Sequence, residues 1–204
     1  LLRHGARREL PELVAADAAV ALHGVEPPRL ADLWRNRLGR RNREDADFYL
    51  RDTASKGFNV IQAAALWRMP TSRNFYGDRP MVLVTATGKY DPAQIVTTPG
   101  TDPNDAAAYD YWDHVDYVIS KAEQYGMYVA LLPTWGEYVS GTNSTAMDMS
   151  SNIFTVATAR SYGRFLGQRY RNRPNIIWVI GGERSAVVPN GAFWAVWRRK
   201  AEGR

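Results

Sequence analysis

The sequence predicts an α/β fold of the TIM-barrel type, a (β/α)8 barrel truncated to about its first four βα units. Three short apolar runs alternate with helical patterns along the chain. The runs are continuously apolar, which is typical of parallel strands covered by helices on both faces. Long polar stretches follow the strands and short connections follow the helices, and TIM barrels build their active sites from the loops after the strands.

Length and composition agree with this prediction. The chain has 204 residues, 45% hydrophobic and 23% charged, which allows one substantial core but falls short of the roughly 250 residues of a complete barrel. A Rossmann-type sheet shares the same alternation of strands and helices. Its glycine-rich phosphate turn should directly follow an early strand, and the residues found there are Gln62, Ala63 and Ala64. The barrel is therefore favoured.

The chain divides into two segments at about residue 42. Residues 1–41 are Arg-rich and poorly patterned, with at most a short helix over residues 10–22. Burying their arginines would be costly, so we expect this segment to be mostly exposed or irregular. Residues 42–204 are predicted to form the N-terminal half of the barrel domain.

The first helix of that domain begins after Asn42, a residue type that caps helix N-termini. It ends at Gly57, as helices often do. Its apolar residues recur at intervals of three and four, namely Ala46, Tyr49, Leu50 and Ala54. The apolar run over residues 58–63 predicts the first visible strand.

A long irregular stretch is predicted over residues 67–105, and loops of this length usually have a function. A helix follows from about Ala106 or Tyr111 to Tyr125, with Gly126 as its stop. Residues 127–132 predict the second strand.

A polar loop over residues 137–152 leads to a helix over about residues 155–170. The third strand is predicted over residues 175–180. A last helical pattern begins near Gly191 and continues to the end of the sequence.

The charge pattern argues against a nucleic-acid partner. The formal net charge is +5, of which +4 falls in residues 1–43. The basic residues are thus concentrated in one segment, and no helix-turn-helix, zinc-finger or RNP pattern accompanies them. No apolar stretch approaches the roughly 18 residues of a membrane span, and no signal segment is present. We therefore predict neither a nucleic acid nor a membrane partner, and no oligomeric state is predicted.

Three strands end in a polar or aromatic residue, namely Gln62, Trp135 and Glu183. In a barrel these positions would surround one pocket. Each also has a structural interpretation: a loop hydrogen bond for Gln62, a cap on the core for Trp135, and an ion pair with Arg184 or another arginine for Glu183. Their equivalent positions together favour a site.

Glu183 is the candidate acid/base. It follows a buried strand and two glycines, and a partly desolvated Glu can have a pKa high enough to donate a proton near neutral pH. Glycoside hydrolysis needs a second carboxylate, about 5 Å away in retaining enzymes. No strand-borne partner follows up to Arg204, so we expect that group outside this chain.

Other chemistries have less support. The histidines, His4, His23 and His114, lack metal-ligand spacing, and His114 is expected on a solvated helix face. Asp113 and Asp116 are expected to serve the positive end of the helix dipole. There is no cysteine, and we predict no metal and no cofactor.

Several motifs in order resemble the apiosidase-like glycoside hydrolase family over about residues 42–204. They are residues 42–50 (NREDADFYL), 56–62 (KGFNVIQ), 74–77 (NFYG) with Pro80, 114–118 (HVDYV), 128–136 (YVALLPTWG), 162–167 (YGRFLG) and 173–178 (RPNIIW) with Gly181 and Gly182.

The resemblance implies a TIM-barrel domain and a retaining, two-carboxylate hydrolysis, in a family that includes enzymes releasing apiose from pectin side chains. The acid of this family is often Asp after the double glycine, where this chain has Glu183. The family's first strand typically ends in Gly/Ala-Asp-Thr, followed shortly by Trp, and residues 31–34 (ADLW) are similar, which adds Asp32 to the site. A secreted or periplasmic location is favoured by the resemblance.

We therefore expect a glycosidase acting on side chains of plant or microbial polysaccharides. The predicted substrate-binding residues are Gln62, Trp135, Asp32, Trp67, Asn74 and Tyr76. A non-catalytic carbohydrate-binding or structural barrel fragment is the alternative. A third option is an intracellular sugar-metabolising enzyme with a phosphate-binding glycine loop further along its sequence.

Overall fold

A computed structural model describes residues 41–66, 72–134, 138 and 153–180 of the chain. In this part it contains three α-helices and five β-strands. In chain order they are α1 (Arg43–Ser55), β1 (Val60–Ala64), β2 (Met81–Val84), β3 (Lys89–Ile95), α2 (Tyr111–Gln124), β4 (Tyr128–Leu132), α3 (Val156–Tyr170) and β5 (Ile176–Trp178). The predicted helices near residues 10–22 and after Gly191 lie outside the described residues.

β1, β4 and β5 form a parallel sheet in that order. The register places Ile61 beside Val129, and Val129 beside Ile176. Parallel neighbours need a crossover connection, and here α2 and α3 lie in the connections between the strands. The predicted order of helices and parallel strands is confirmed, and the fold is mixed α/β.

All three helices begin at a side-chain cap. The Asn42 side chain accepts a hydrogen bond from the backbone N–H of Asp45 at 2.6 Å, as predicted. Asp110 and Thr155 form capping boxes at the starts of α2 and α3, so backbone donors that lack a partner within the helix are satisfied. The caps place the helix starts at Arg43, Tyr111 and Val156.

The connections after the helices are short. α1 is followed by Gly57, with φ of 83°, and α2 by Gly126, with φ of 68°, a left-handed conformation that glycine adopts without steric cost. Phe58 and Asn59 belong to the first connection, so β1 begins two residues later than predicted. The predicted asymmetry between short and long connections is confirmed for the described strands.

The prediction of an irregular stretch over residues 67–105 was wrong in part. Within it, β2 and β3 pair as an antiparallel two-stranded sheet. Pro92 lies inside β3 and the register shifts between Met81 and Val82. Proline and bulges are compatible with edge positions but weaken the sequence signal of a strand.

The core lies between the parallel sheet and the helices. Ile61, Val129 and Leu131 are at most 3% exposed and contribute the sheet side. Trp112 of α2 and Tyr162 of α3 are fully buried and contribute much of the helix side. Trp112 also donates its indole N–H to the carbonyl of Pro80 at 3.0 Å, which ties the segment before β2 to α2.

Ion pairs join neighbouring helices. Arg169 of α3 contacts Asp113 at 3.1 Å and Asp116 at 2.9 Å, both on α2. Asp113 also accepts from the backbone N–H of Asp110 at 2.9 Å, in the first turn of α2. The dipole role predicted for Asp113 thus agrees with its capping bond, whereas Asp116 acts as a partner of Arg169.

The expectation that His114 is solvated was wrong. His114 is 1% exposed, and its Nδ1 lies 3.1 Å from the hydroxyl of Tyr109. Its ring is stacked with that of Tyr117, with centroids 6.4 Å apart. Tyr109, which lies in the loop before α2, therefore covers a helix face that the helix pattern alone predicts to be exposed to solvent.

Candidate functional site

The carboxyl ends of the parallel strands form one edge of the sheet. The hydrogen-bond ladder extends past β1, because the N–H of Ala65 donates to Leu132 O at 2.8 Å. It also extends past β5, because the N–H of Val179 donates to Leu131 O at 3.0 Å. These ends lie side by side, as the site hypothesis requires.

Two tyrosine hydroxyls brace the backbone at this edge. Tyr111, the first residue of α2, donates to the carbonyl of Ala65 at 2.7 Å. Tyr162 of α3 donates to the carbonyl of Pro133 at 2.8 Å. Both tyrosines are buried, so these bonds fix the positions from which the chain continues to Trp67 and Trp135.

Gln62 does not end its strand. It lies in the middle of β1, paired in register with Ala130, which is in turn paired with Ile177. The later start and end of β1 explain the difference from the predicted strand. Gln62 is half-buried and lies two residues before the end of β1.

Asn74 organises the loop that precedes β2. Its side-chain amide donates to the Asp78 carboxylate at 2.7 Å, and its side-chain oxygen accepts from the Asp78 N–H at 2.8 Å. The same amide lies 3.4 Å from the Asp110 carbonyl at the start of α2. Asn74 is 5% exposed, so its side chain is bonded within the loop and does not face solvent.

Tyr76 presents an aromatic face beside this loop. It is 37% exposed, and its ring packs edge-on against Phe75 and Tyr109, with centroids 5.3 and 5.1 Å apart. The N–H of Arg43 donates to its hydroxyl at 3.4 Å. Of the predicted substrate-binding residues that the structure describes, Tyr76 is the one with an aromatic side chain.

Arg43 lies among three tyrosines. Its guanidinium carbon is 4.2 Å from the centroid of the Tyr117 ring and 5.8 Å from that of Tyr109, distances at which a cation is attracted to a ring face. Tyr117 donates its hydroxyl to the Arg43 carbonyl at 3.0 Å. Burial raises the pKa of the Tyr109 hydroxyl, which therefore stays protonated. This cluster attaches the Asn74 loop to α1 and α2.

Thr134 lies two residues after the end of β4, just before Trp135. It is 1% exposed, and its hydroxyl has no hydrogen-bond partner among the residues that the structure describes. A buried hydroxyl without a partner costs about 1–3 kcal/mol. A threonine after an apolar strand has no distinctive pattern, so the sequence marks Thr134 only as part of the motif over residues 128–136.

The remaining predicted site residues are Asp32, Trp67, Trp135 and Glu183, which lie outside the described residues. Sequence reasoning also missed Asp78 and Asp110, which hold the loop at Asn74. The Asp110 cap had a detectable signal, an acidic residue three positions before Asp113 at the start of an apolar helix pattern.

The described residues contain no group of three or more His, Cys, Asp and Glu side chains that could hold a metal ion. Among their helices, none is long and apolar enough to cross a membrane.

Comparison with known proteins assigns the chain to a family. The sequence profile described as "Apiosidase-like, catalytic domain" matches residues 30–203, a range that begins before Asn42 and includes residues 31–34. No curated protein sequence matches significantly.

Two solved structures are similar over most of the chain. One is titled "Glycoside hydrolase", with a TM-score of 0.64 and 32% identity over 82% of this chain and 32% of that one. The other is a glycoside hydrolase family 5 protein from Bacteroides vulgatus, with a TM-score of 0.62 and 29% identity over 81% of this chain and 31% of that one. The chain thus spans about a third of the length of these structures.

Proposed function

The chain belongs to the family of apiosidase-like catalytic domains, and we propose on that basis that it is the first part of a TIM-barrel glycosidase. The proposed enzyme removes side chains from plant or microbial polysaccharides with retention of configuration. Glu183 is its acid/base, and the second carboxylate is supplied from outside this chain.

The observation that carries the proposal is the family match over residues 30–203, together with the arrangement of the strands. β1, β4 and β5 are parallel and adjacent, and their long connections leave from the same edge. Enzymes with parallel strands and helical crossovers place their sites at that edge. Along the chain, Trp135 comes three residues after β4 and Glu183 five residues after β5.

The second face of the sheet supports a closed barrel. Val60, Tyr128 and Ile177 are 43, 48 and 42% exposed, and by strand alternation they lie on the face opposite the buried Ile61 and Val129. Further strands that closed the sheet would cover these apolar side chains, because a barrel interior is filled with side chains rather than water.

The proposed mechanism assigns one proton transfer to Glu183. The protonated carboxyl donates to the glycosidic oxygen while the second carboxylate attacks the sugar, and the resulting Glu183 carboxylate then accepts a proton from the water that releases the sugar. The glycines at 181 and 182 permit close approach of the substrate. Tyr76 and the tryptophans at 67 and 135 would offer flat faces to the sugar rings.

The test is Glu183→Gln in the longest protein that carries this sequence. Gln cannot donate the proton, so turnover of pectin-derived oligosaccharides should fall by about 100-fold or more. Aryl glycosides with activated leaving groups need no protonation, and the glycosylation step on them should be little affected. Rates on both substrate classes measure this contrast.

Glu137→Gln is the matched control, because this glutamate also comes a few residues after a parallel strand along the chain. It should leave both rates near the wild-type values. Equal losses of kcat/KM, which reports the glycosylation step, for both substrate classes in Glu183→Gln would remove Glu183 from the acid/base role. The 204-residue chain alone should be nearly inactive, because a two-carboxylate mechanism fails without its nucleophile. Robust hydrolysis by it would contradict the proposed division of the site.

A further inference from the structure

We propose that Arg73, Phe75 and Tyr76 form a surface, the Phe75 surface, that binds a uronate unit in the main chain of the polysaccharide. The two aromatic rings contact the sugar ring, and the guanidinium pairs with the sugar carboxylate. The choice of a saccharide as the ligand rests on the proposed function. All three side chains lie within the described part of the chain and are exposed to solvent.

Phe75 and Tyr76 place two aromatic rings in contact with water. Phe75 is 53% exposed and Tyr76 is 37% exposed. Their rings pack edge to face, with centroids 5.3 Å apart and an angle of 82° between the planes. A single exposed apolar residue needs no explanation, whereas adjacent ones indicate a contact site. A ligand can reach both rings directly from solvent.

The turn that carries the rings is held in shape. The N–H of Gly77 donates to Asn74 O at 3.2 Å, and the N–H of Asn74 donates to Asp78 O at 3.1 Å. The side-chain bonds between Asn74 and Asp78 brace the same turn. The ring of Tyr76 also packs against that of Tyr109, with centroids 5.1 Å apart. Because the surface is formed in advance, binding costs little ordering of the chain.

Arg73 adds a positive charge beside the rings. Its Nη1 donates to the carbonyl of Gly77, the residue after Tyr76, at 2.7 Å, which leaves its other N–H donors for a ligand. No ion pair among the described residues includes Arg73. Residues 72–80 carry two arginines and one aspartate, a net charge of +1. The guanidinium can therefore bind a carboxylate from another molecule, in the two-bond geometry that these groups favour.

The Phe75 surface lies at the carboxyl end of the parallel sheet. Tyr111, which begins α2, is bonded there to the carbonyl of Ala65 at 2.7 Å. The Asn74 amide lies 3.4 Å from the carbonyl of Asp110, which caps the same helix. TIM barrels bind their substrates at this end, so the turn is on the side from which a polysaccharide approaches.

The contacts of Tyr76 indicate which part of the polysaccharide the surface meets. Its hydroxyl accepts from the N–H of Arg43, the first residue of α1, at 3.4 Å, and its ring packs on Tyr109, two residues before α2. The rings thus lie over the starts of two helices, beside the strand ends. A side chain that is cleaved belongs at the strand ends, where the acid/base is proposed, so a unit over the helices belongs to the main chain.

The experiment measures binding to the longest protein that carries this sequence by isothermal titration calorimetry. The probes are oligogalacturonates without side chains, which the proposed enzyme does not cleave, and their fully methyl-esterified forms, which lack the charge. Phe75→Ala should raise Kd for both probes about fivefold or more, because an aromatic contact is lost. Arg73→Gln should raise Kd for the acidic probe about two- to fivefold and leave Kd for the ester unchanged.

Phe48→Ala and Arg51→Gln are the matched controls, because these residues form an exposed pair on α1, with the guanidinium carbon 5.7 Å from the ring centroid. Neither should change Kd for either probe. The Phe75 surface is overturned if the wild type binds neither probe, if Phe75→Ala leaves Kd unchanged, or if Arg73→Gln affects both probes equally. An equal effect of Phe48→Ala would also overturn it.

The outcomes separate this inference from the proposed function. A protein that binds the probes through Phe75 but hydrolyses no side chain contradicts the glycosidase proposal alone. A protein that hydrolyses side chains but fails the binding test contradicts the Phe75 surface alone.

Discussion

The two ends of the parallel sheet use polar groups in different ways. At the amino end, the Asn175 amide donates to Ile119 O at 3.0 Å and lies 3.4 Å from Met127 O, which joins α2, β4 and β5. At the carboxyl end, the Thr134 hydroxyl is buried without such a bond within the described residues. The first arrangement joins three elements of the fold, whereas the second leaves a buried hydroxyl unpaired within the described residues.

The connections differ in the same way. At the amino end, the chain passes from α1 to β1 and from α2 to β4 through a few residues, with turns at Gly57 and Gly126. At the carboxyl end, the connection from β1 to α2 contains the β2–β3 hairpin and the Asn74 loop. Sequence changes in this long connection alter a surface of the protein without changing the order of the strands. We infer that the amino end holds the strands in order through short connections and that the long connections at the carboxyl end carry recognition.

The largest effect that would test this comparison is expected from Trp112→Ala, because Trp112 supports the carboxyl-end loops from the core. It is fully buried and bonded to Pro80 O. Its loss should destabilise the chain by about 3–5 kcal/mol, as measured by urea unfolding.

Trp112→Phe is the control for this change. It keeps a buried ring but loses the bond to Pro80, so its cost should be about 1–2 kcal/mol. A cost of Trp112→Ala no larger than that of Trp112→Phe would show that the hairpin and its neighbours do not depend on this side chain for packing.

An intermediate effect is expected from Asn175→Ala at the amino end. The variant loses the donor to Ile119 O and should be less stable by about 1–2 kcal/mol, while KM of the active protein stays the same. Asn104→Ala, in an exposed turn, is the control and should change stability less. A raised KM in Asn175→Ala would contradict the assignment of different roles to the two ends of the sheet.

The smallest effect concerns the pH dependence of Asp113, which lies at the α2–α3 contact. Burial raises the pKa of this carboxyl above its usual value of 3.8, although Arg169 opposes the shift. The folded state therefore holds the proton more tightly than the unfolded state. The free-energy cost of ionising Asp113 in the folded state is absent below pH 3.8. It is fully present above the folded-state pKa.

Asp113→Asn removes this titration. Its stability relative to the wild type should improve as the pH rises from about 3.8 to neutrality, as measured by thermal unfolding at a series of pH values. Asp52→Asn, in the exposed pair with Lys56, is the comparison. A relative stability of Asp113→Asn that falls over the same range would mean that its ion pair with Arg169 outweighs the burial.

The sequence by itself determined the order of the helices and parallel strands, the cap at Asn42 and the stops at Gly57 and Gly126. Asn42, Gly57 and Gly126 act within one turn of the chain, where residue type fixes the backbone locally. The apolar runs are long enough to mark the three parallel strands. The family resemblance followed from motifs that are also local, and the family match confirmed it.

Only the tertiary structure decided which side chains face which environment. His114 is buried because Tyr109 and Tyr117 lie against it, and Gln62 lies mid-strand because the register with β4 moves the end of β1. The burial of Thr134 and its missing bond within the described residues are likewise properties of the tertiary structure. These properties depend on contacts between residues far apart in the sequence, which local patterns do not encode.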